Sequence, residues 1–186
     1  MSEQKIVSMT FQEQKAIKPL IEDAIIESLD GGMKKAALDF IAYMRENKMK
    51  PVWAVTNQWK AMYRGKCICR IYIKNGEYDD RLCASPFWVV RLDPLYLNEY
   101  EESILSEGLQ NMIWDNASYC VHKKSGTGCN PNKPCVGGRT MTLFGNEIKG
   151  ICVCPINVNI CDPDDATINR IKKLLAFEKK ARANIT

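Results

Sequence analysis

The sequence has little histidine and no long apolar run, and each shortage excludes a class of protein. His122 is the one histidine among the 186 residues. No segment approaches the roughly 18 apolar residues of a membrane-spanning helix, and the first residues lack the apolar run of a signal peptide. We therefore expect a cytoplasmic protein without a membrane span.

Common catalytic and nucleotide-binding motifs are also missing from the sequence. No GxSxG, HExxH, P-loop, GxGxxG or CxxC pattern occurs. A cysteine–histidine nucleophile pair would have to use His122, and Cys120 is its near neighbour in sequence. An enzyme is therefore not favoured, and a thiol-dependent enzyme or redox protein using these two residues stays open as an alternative.

The composition is that of a folded domain, with 46% hydrophobic and 26% charged residues. The length fits a single domain over residues 1–186, although two joined subdomains are also compatible with it. The net charge is +4, and the two signs look interspersed except in a basic run near the C-terminus, at Lys172, Lys173, Lys179, Lys180 and Arg182. That run suits the end of a helix. The sequence has no basic stripe interleaved with aromatics, so it does not indicate nucleic acid as a partner.

The pattern of apolar residues predicts an α+β fold. Helical spacing covers Phe11 to Leu29 with a break at Pro19, and a second helix runs from Met33 to Asn47 after two glycines. Strand patterns follow at Val52–Thr56, Lys66–Lys74, Phe87–Leu92, Thr140–Phe144 and Ile148–Ile160. We expect an antiparallel sheet of about five strands, flanked by N-terminal, middle and C-terminal helices and interrupted by a long Cys/Gly-rich loop.

Two further helical regions complete this prediction. Leu97 to Trp114 reads as one or two helices interrupted at Gly108. Asp162 is expected to cap a last helix that ends near Ala183.

The long loop has the residue types of a zinc site. Three thiolates and one imidazole form a set that zinc binds in tetrahedral geometry. The residues concerned are Cys120, His122, Cys129 and Cys135. A metal would also tether a loop with few apolar residues, but the Cys-x5-Cys spacing is wider than in common zinc motifs. We expect zinc as a structural cofactor here, with core and surface residues or a reversible disulfide as the alternative.

The remaining cysteines are expected to be reduced thiols rather than disulfides. Cys67 and Cys69, like Cys152 and Cys154, form Cys-x-Cys pairs inside strand patterns, so the two members of each pair should share one face of the sheet. These cysteines alternate along the strands in step with neighbouring aliphatic residues and should therefore lie on the same face as those residues. This favours buried core thiols over a tetrathiolate metal site. Cys83 and Cys161 belong neither to the predicted zinc site nor to a Cys-x-Cys pair, and no role is assigned to them.

Tryptophan and tyrosine concentrate in the predicted sheet. Most such aromatics fill a core, and that interpretation is favoured. The alternative is an aromatic-lined cleft for a small organic ligand, which would make the protein a sensor or carrier. The ligand-binding residues would then be Trp53, Trp59, Trp88 and Tyr63.

Three stretches resemble a small family of uncharacterised bacterial proteins of the Firmicutes type. They are residues 50–60, Tyr63-Arg-Gly65-Lys66, and residues 109–135. The resemblance implies no activity and carries no catalytic residue across. The order of elements is also similar to small α+β domains of the gyrase-inhibitor-like kind, some of which bind small molecules in an aromatic cleft. The function that we expect first is a binding module with a structural zinc site between Cys120 and Cys135.

Overall fold

The computed structural model describes residues 5–73, 79–80, 83–84, 87–118, 139–151 and 156–184. The chain divides into two compact units. The first comprises Met1–Leu92 and Asn159–Leu175, and the second comprises Asp93–Val158 and Ala176–Thr186. A single domain over residues 1–186 stays a prediction.

The elements confirm the α+β prediction. The helices are α1 (Phe11–Ile17), α2 (Ile21–Ser28), α3 (Gly31–Glu46), α4 (Glu101–Ser106), α5 (Gln110–Asn116) and α6 (Asp165–Asn184), with 3-10 turns at Ile6–Ser8 and Leu97–Tyr100. The strands are β1 (Lys50–Val55), β2 (Gln58–Tyr63), β3 (Lys66–Ile73), β4 (Asp79–Asp80), β5 (Cys83–Ala84), β6 (Trp88–Leu92), β7 (Ala117–Ser118), β8 (Arg139–Leu143), β9 (Asn146–Ile151) and β10 (Asn157–Cys161). The predicted Cys/Gly-rich loop lies outside the described residues.

Five neighbouring strands of the main sheet, in the order β1-β2-β3-β6-β10, lie wholly or partly in the first unit. The pairs β1–β2, β2–β3 and β3–β6 are antiparallel. The sequence patterns did not predict β2, which pairs with both β1 and β3. This omission matters because β2 sets the register of the strands around it.

One face of this sheet, which we call the inner face, packs against helices. Trp59, Ile71 and Val90 stand opposite one another on β2, β3 and β6, and each is almost completely buried. The Trp59 indole N–H donates to the Pro19 carbonyl oxygen at 2.9 Å, between α1 and α2. The core of the first unit therefore lies between the inner face and the helices.

The helix ends follow local chemistry. Thr10 and Glu13 form a reciprocal capping box at the start of α1. Lys18 has a left-handed backbone conformation (φ 47°) just before Pro19, so the predicted break between α1 and α2 is confirmed. The second helix begins two residues before the predicted Met33, because Gly31 and Gly32 form the first turn of α3.

In the first unit, hydrogen bonds of two polar residues connect the N-terminal segment to the β1–β2 turn. The buried Gln14 side chain accepts hydrogen bonds from the Asn57 backbone N–H at 2.9 Å and from the Trp53 indole N–H at 3.2 Å. It also donates to the Ile6 carbonyl oxygen at 2.8 Å. These bonds hold Asn57 in its left-handed conformation (φ 56°), which closes the turn.

The expected cap of the last helix is corrected by the structure. Asp164, rather than Asp162, accepts a hydrogen bond from the Thr167 backbone N–H at 2.8 Å, and α6 begins at Asp165. Asp162 instead accepts the backbone N–H groups of Phe87 and Trp88, each at 2.9 Å. Its carboxylate is therefore used at the start of β6 and is not available for the helix.

The second unit contains α4, α5, the β8–β9 hairpin and the end of α6. Gly108, with φ 64°, separates α4 from α5, as predicted. The prediction of one strand over Ile148–Ile160 is wrong, because β9 ends at Ile151 and a separate β10 begins at Asn157.

A charged cluster is buried in the second unit. Glu178 is 3% exposed and accepts from the Arg182 Nε–H at 2.7 Å and from the Tyr100 hydroxyl at 2.7 Å. It also accepts the backbone N–H of Leu95 at 3.1 Å, and Arg182 donates to the Asp93 carbonyl oxygen at 3.3 Å. Burial, followed by the Glu178 charge, raises the pKa of Tyr100 far above its usual value.

Across the described segments, no helix has the length and apolar character needed to cross a bilayer.

Candidate functional site: a basic row on the outer sheet face

The opposite face of the sheet, which we call the outer face, carries basic residues in register. Lys60 on β2 stands directly opposite Arg70 on β3, and Arg70 stands opposite Arg91 on β6. We call these three residues the basic row. On the β1 side the row ends at Val52, which is opposite Lys60.

The spacing of the strands brings these cations close together. Neighbouring strands lie about 4.8 Å apart, so the basic row spans roughly 10 Å of the sheet. Like charges that are directly opposite on adjacent strands destabilise a sheet. Three cations on three neighbouring strands concentrate positive charge on one part of the outer face.

Burial changes along the row. Lys60, Arg70 and Arg91 are all half-buried, whereas Val52 at the sheet edge is 37% exposed. Val89, which also lies on the outer face of β6, is only 1% exposed. The row thus runs from a solvent-exposed edge toward a covered region, where reduced solvation strengthens the attraction for an anion.

A second row lies beside the basic one. Gln58 on β2 is opposite Tyr72 on β3, and the Gln58 Nε2–H donates to the Tyr72 hydroxyl at 3.0 Å. Both side chains are half-buried. Because side chains alternate along a strand, this pair shares the outer face with Lys60 and Arg70.

The overall composition does not indicate a basic face, but the local distribution of charged residues along the sequence does. Between Asn47 and Ile73 lie six of the 26 basic residues and none of the 22 acidic ones. The six are Lys48, Lys50, Lys60, Arg64, Lys66 and Arg70. The expectation of interspersed charge is therefore wrong for the segment that forms β1 to β3.

The predicted aromatic ligand site is placed mostly on the inner face. Trp59 and Trp88 are 1% and 0% exposed, as the favoured core interpretation predicts. Trp53 is opposite Trp59, and its ring centroid lies 6.0 Å from that of Phe11. These three residues share one face of the sheet, and their role in ligand binding stays a prediction.

Tyr63, the fourth predicted ligand residue, lies apart from this group at the end of β2. It pairs with Lys66 beside the turn, and the Arg64 guanidinium lies 5.8 Å from its ring centroid.

The cysteines differ in state. Cys67 and Cys69 are in the thiol form, whereas Cys161 is disulfide-bonded, so the expectation of reduced cysteines is wrong for Cys161. A bulge places Cys67 opposite Met62 and Cys69 opposite Ala61, so the two thiols do not share one face as predicted. Cys69 is buried in the core and Cys67 is half-buried.

The predicted zinc ligands lie outside the described residues. They are Cys120, His122, Cys129 and Cys135, and the Cys152/Cys154 pair lies outside as well. Within the described part of the chain, no group of three or more His, Cys, Asp or Glu side chains is placed to hold a metal. The zinc site therefore stays a prediction, as does a thiol chemistry at Cys120 and His122.

Comparison with family models, curated proteins and solved structures finds no match to this chain.

Proposed function

We propose that this protein is a binding module whose outer sheet face holds a compact anion with two or more negative charges. The observation that carries the proposal is the register of Lys60, Arg70 and Arg91, which places three cations side by side on three neighbouring strands. A phosphate ester or a polycarboxylate has enough oxygens and charge to contact more than one of these side chains.

The residue types support phosphate or carboxylate as the recognised group. Arginine presents a planar fork of N–H donors that matches the oxygens of both groups, and lysine adds a compact charge. Their strand positions fix the spacing of the three Cα atoms before a ligand arrives, which limits the entropy lost on binding. A small multivalent anion fits the limited length of the row.

The same residue types favour binding over catalysis. Arginine and lysine side chains supply hydrogen-bond donors and positive charge but no acceptor. The row can therefore hold and orient an anion, but proton transfer would need other groups.

Calorimetric titration with inorganic pyrophosphate tests this function. At fixed, low ionic strength the wild-type protein is expected to bind saturably, and Arg70→Gln should weaken binding about tenfold because one charge-assisted contact is lost. The matched control is Lys180→Gln, which removes one positive charge from an exposed position on α6.

The control separates a site from a general charge effect. Equal weakening by Arg70→Gln and Lys180→Gln would mean that net charge alone attracts the anion, and this would overturn the proposal. A wild-type protein that shows no saturable heat would overturn it as well. Thermal unfolding of each variant verifies that the fold is retained.

A further inference from the structure

We infer that the exposed edge of β1 binds an acidic peptide in an extended conformation, which adds to the sheet as one more strand. β1 is the first strand of the main sheet, and among the described strands only β2 pairs with it. We call the side of β1 that faces away from β2 the β1 edge. The inference goes beyond the proposed function, because it concerns this edge and does not depend on Arg70 or Arg91.

The hydrogen-bond pattern of the first three strands shows which backbone groups face the β1 edge. The Ile73 backbone N–H donates to the Asn57 carbonyl oxygen at 3.1 Å, so Ile73 on β3 directs its backbone groups toward β2. Because this direction alternates along a strand, Ile71 also bonds toward β2, to its partner Trp59. The next residue on β2, Lys60, then directs its backbone groups toward β1.

The same alternation continues into β1. Val52, the partner of Lys60, bonds to β2, so Pro51 and Trp53 on either side of it direct their backbone groups to the β1 edge. Pro51 fits there because it has no N–H, and prolines in sheets lie where the nitrogen faces away from a neighbouring strand. The Pro51 C=O and the Trp53 N–H and C=O are therefore the groups that an added strand can bond.

Apolar side chains are exposed beside the β1 edge on both faces of the sheet. Val52 and Val55 lie on the outer face and are 37% and 45% exposed. On the inner face, Phe11 of α1 is 43% exposed, and its ring centroid lies 6.0 Å from that of Trp53. An added strand points its side chains alternately to the two faces, so it can cover both groups.

The charges next to the β1 edge favour an acidic occupant. Lys50 is exposed on the outer face of β1, and the Lys15 ammonium on α1 lies 5.7 Å from the Phe11 ring centroid. The acid of α1, Glu13, is engaged with Thr10 in the capping box, and residues 47–73 contain no acid. A carboxylate directly across from Lys50 on an added strand would form a favourable cross-strand pair.

A second copy of this chain is a poorer match for the same edge. Two β1 strands side by side would bring together two acid-free segments that each carry Lys48 and Lys50. Lysine and proline on an edge strand, here Lys50 and Pro51, also protect a sheet from pairing with its own copies. An acidic peptide gains from the lysines that a second copy would meet as like charges.

Fluorescence anisotropy with three matched octapeptides tests strand addition to the full chain. The first alternates valine and glutamate, the second has lysine in place of glutamate, and the third repeats the first with every backbone nitrogen methylated. We expect the first to bind saturably and each of the others to bind at least about tenfold more weakly. No saturable binding of the first peptide, or equal binding of either control, would overturn the inference.

A charge reversal tests the electrostatic contribution. At fixed ionic strength, Lys50→Glu should weaken binding of the acidic peptide at least about tenfold. Lys180→Glu makes the same change at an exposed position on α6 and should leave binding within about twofold of wild type. Thermal unfolding verifies that both variants are folded. An equal loss in the two variants would show that net charge alone attracts the peptide, contrary to the inference.

Amide hydrogen exchange locates the peptide on the strand. The Trp53 N–H faces the β1 edge, whereas the N–H of its neighbour Val52 faces β2. At about 90% saturation, exchange at Trp53 should slow about tenfold, because this amide then exchanges mainly from the unbound protein. Val52 is the internal control and should change little. Saturable binding that leaves exchange at Trp53 unchanged would exclude strand addition.

The outcomes separate this inference from the proposed function. Protection of Trp53 that appears without peptide and grows with protein concentration would show that a second copy occupies the edge, which overturns the assignment to an acidic peptide. Pyrophosphate binding without peptide binding overturns this inference alone. Peptide binding with protection of Trp53, but without pyrophosphate binding, supports the β1 edge and removes the proposed anion site.

Discussion

The two units differ in the charges that lie beside their arginine side chains. In the second unit, Arg182 is buried beside the Glu178 carboxylate on its own helix, and Glu178 has further donors around it. In the first unit, the cross-strand neighbours of Arg70 are Lys60 and Arg91, which are cations too. A buried ion pair such as that of Arg182 with Glu178 supports the fold, whereas three cations in register concentrate positive charge at one place on the sheet. The second arrangement is therefore the one that points to a ligand.

The largest expected effect comes from breaking the paired charge. Glu178→Gln leaves Arg182 buried without its carboxylate, and this should lower the free energy of unfolding by about 3–5 kcal/mol. Urea denaturation at pH 7 measures the change. Glu102→Gln, at an exposed position on α4, is the matched control and should stay within about 0.5 kcal/mol of wild type. A loss for Glu178→Gln no larger than the control would show that the cluster is not structural.

Removing the Tyr100 hydroxyl should have a smaller effect on the free energy of unfolding, and this effect should depend on pH. Tyr100→Phe removes a hydrogen bond to a charged acceptor, which should cost about 1.5–3 kcal/mol at pH 7. Because burial raises the pKa of Tyr100, its stabilising neutral form is fully present below the usual tyrosine pKa of about 10. Stability should then fall as the pH rises above that value.

Denaturation of wild type and Tyr100→Phe between pH 9 and pH 11 tests this sign. The wild-type protein should lose stability more steeply above about pH 10, because only its unfolded state releases the Tyr100 proton there. Identical slopes for the two proteins would show that Tyr100 ionises normally in the folded state.

The smallest expected effect is an increase, rather than a decrease, in the free energy of unfolding. Lys60→Gln removes one member of the basic row and should raise the free energy of unfolding by about 0.5 kcal/mol at low salt. The gain should shrink as salt screens the remaining charges. Lys66→Gln, at an exposed position on β3, serves as the control.

A stabilising substitution that also weakens pyrophosphate binding would sharpen the contrast between the two units. A Lys60→Gln protein that is less stable than wild type would instead show that Lys60 supports the fold, as Arg182 does in the second unit.

Much of the helical structure could be predicted from local chemistry. The capping box at Thr10 and Glu13, the break at Pro19 and the interruption at Gly108 each depend on residues close in sequence. The cap of α6 was misassigned because Asp162 and Asp164 have the same side chain. Only tertiary contact shows that Asp162 is used by Phe87 and Trp88.

The candidate site could not be predicted in the same way. In β2 the alternating Gln58, Lys60 and Met62 are polar or flexible, so the segment resembled a connection between strands rather than a strand. Without β2, the register that joins Lys60 to Arg70 could not be known. The acid-free segment from Asn47 to Ile73 was the available signal, and it indicated where positive charge concentrates but not which face carries it.

The most direct measurement is a map of backbone amide chemical shifts during titration with pyrophosphate. We predict that the largest changes, saturating together, fall on Lys60, Arg70, Arg91 and their strand neighbours. Changes concentrated instead on the basic C-terminal run, at Lys172, Lys173, Lys179 and Lys180, would contradict the assignment of anion binding to the outer sheet face.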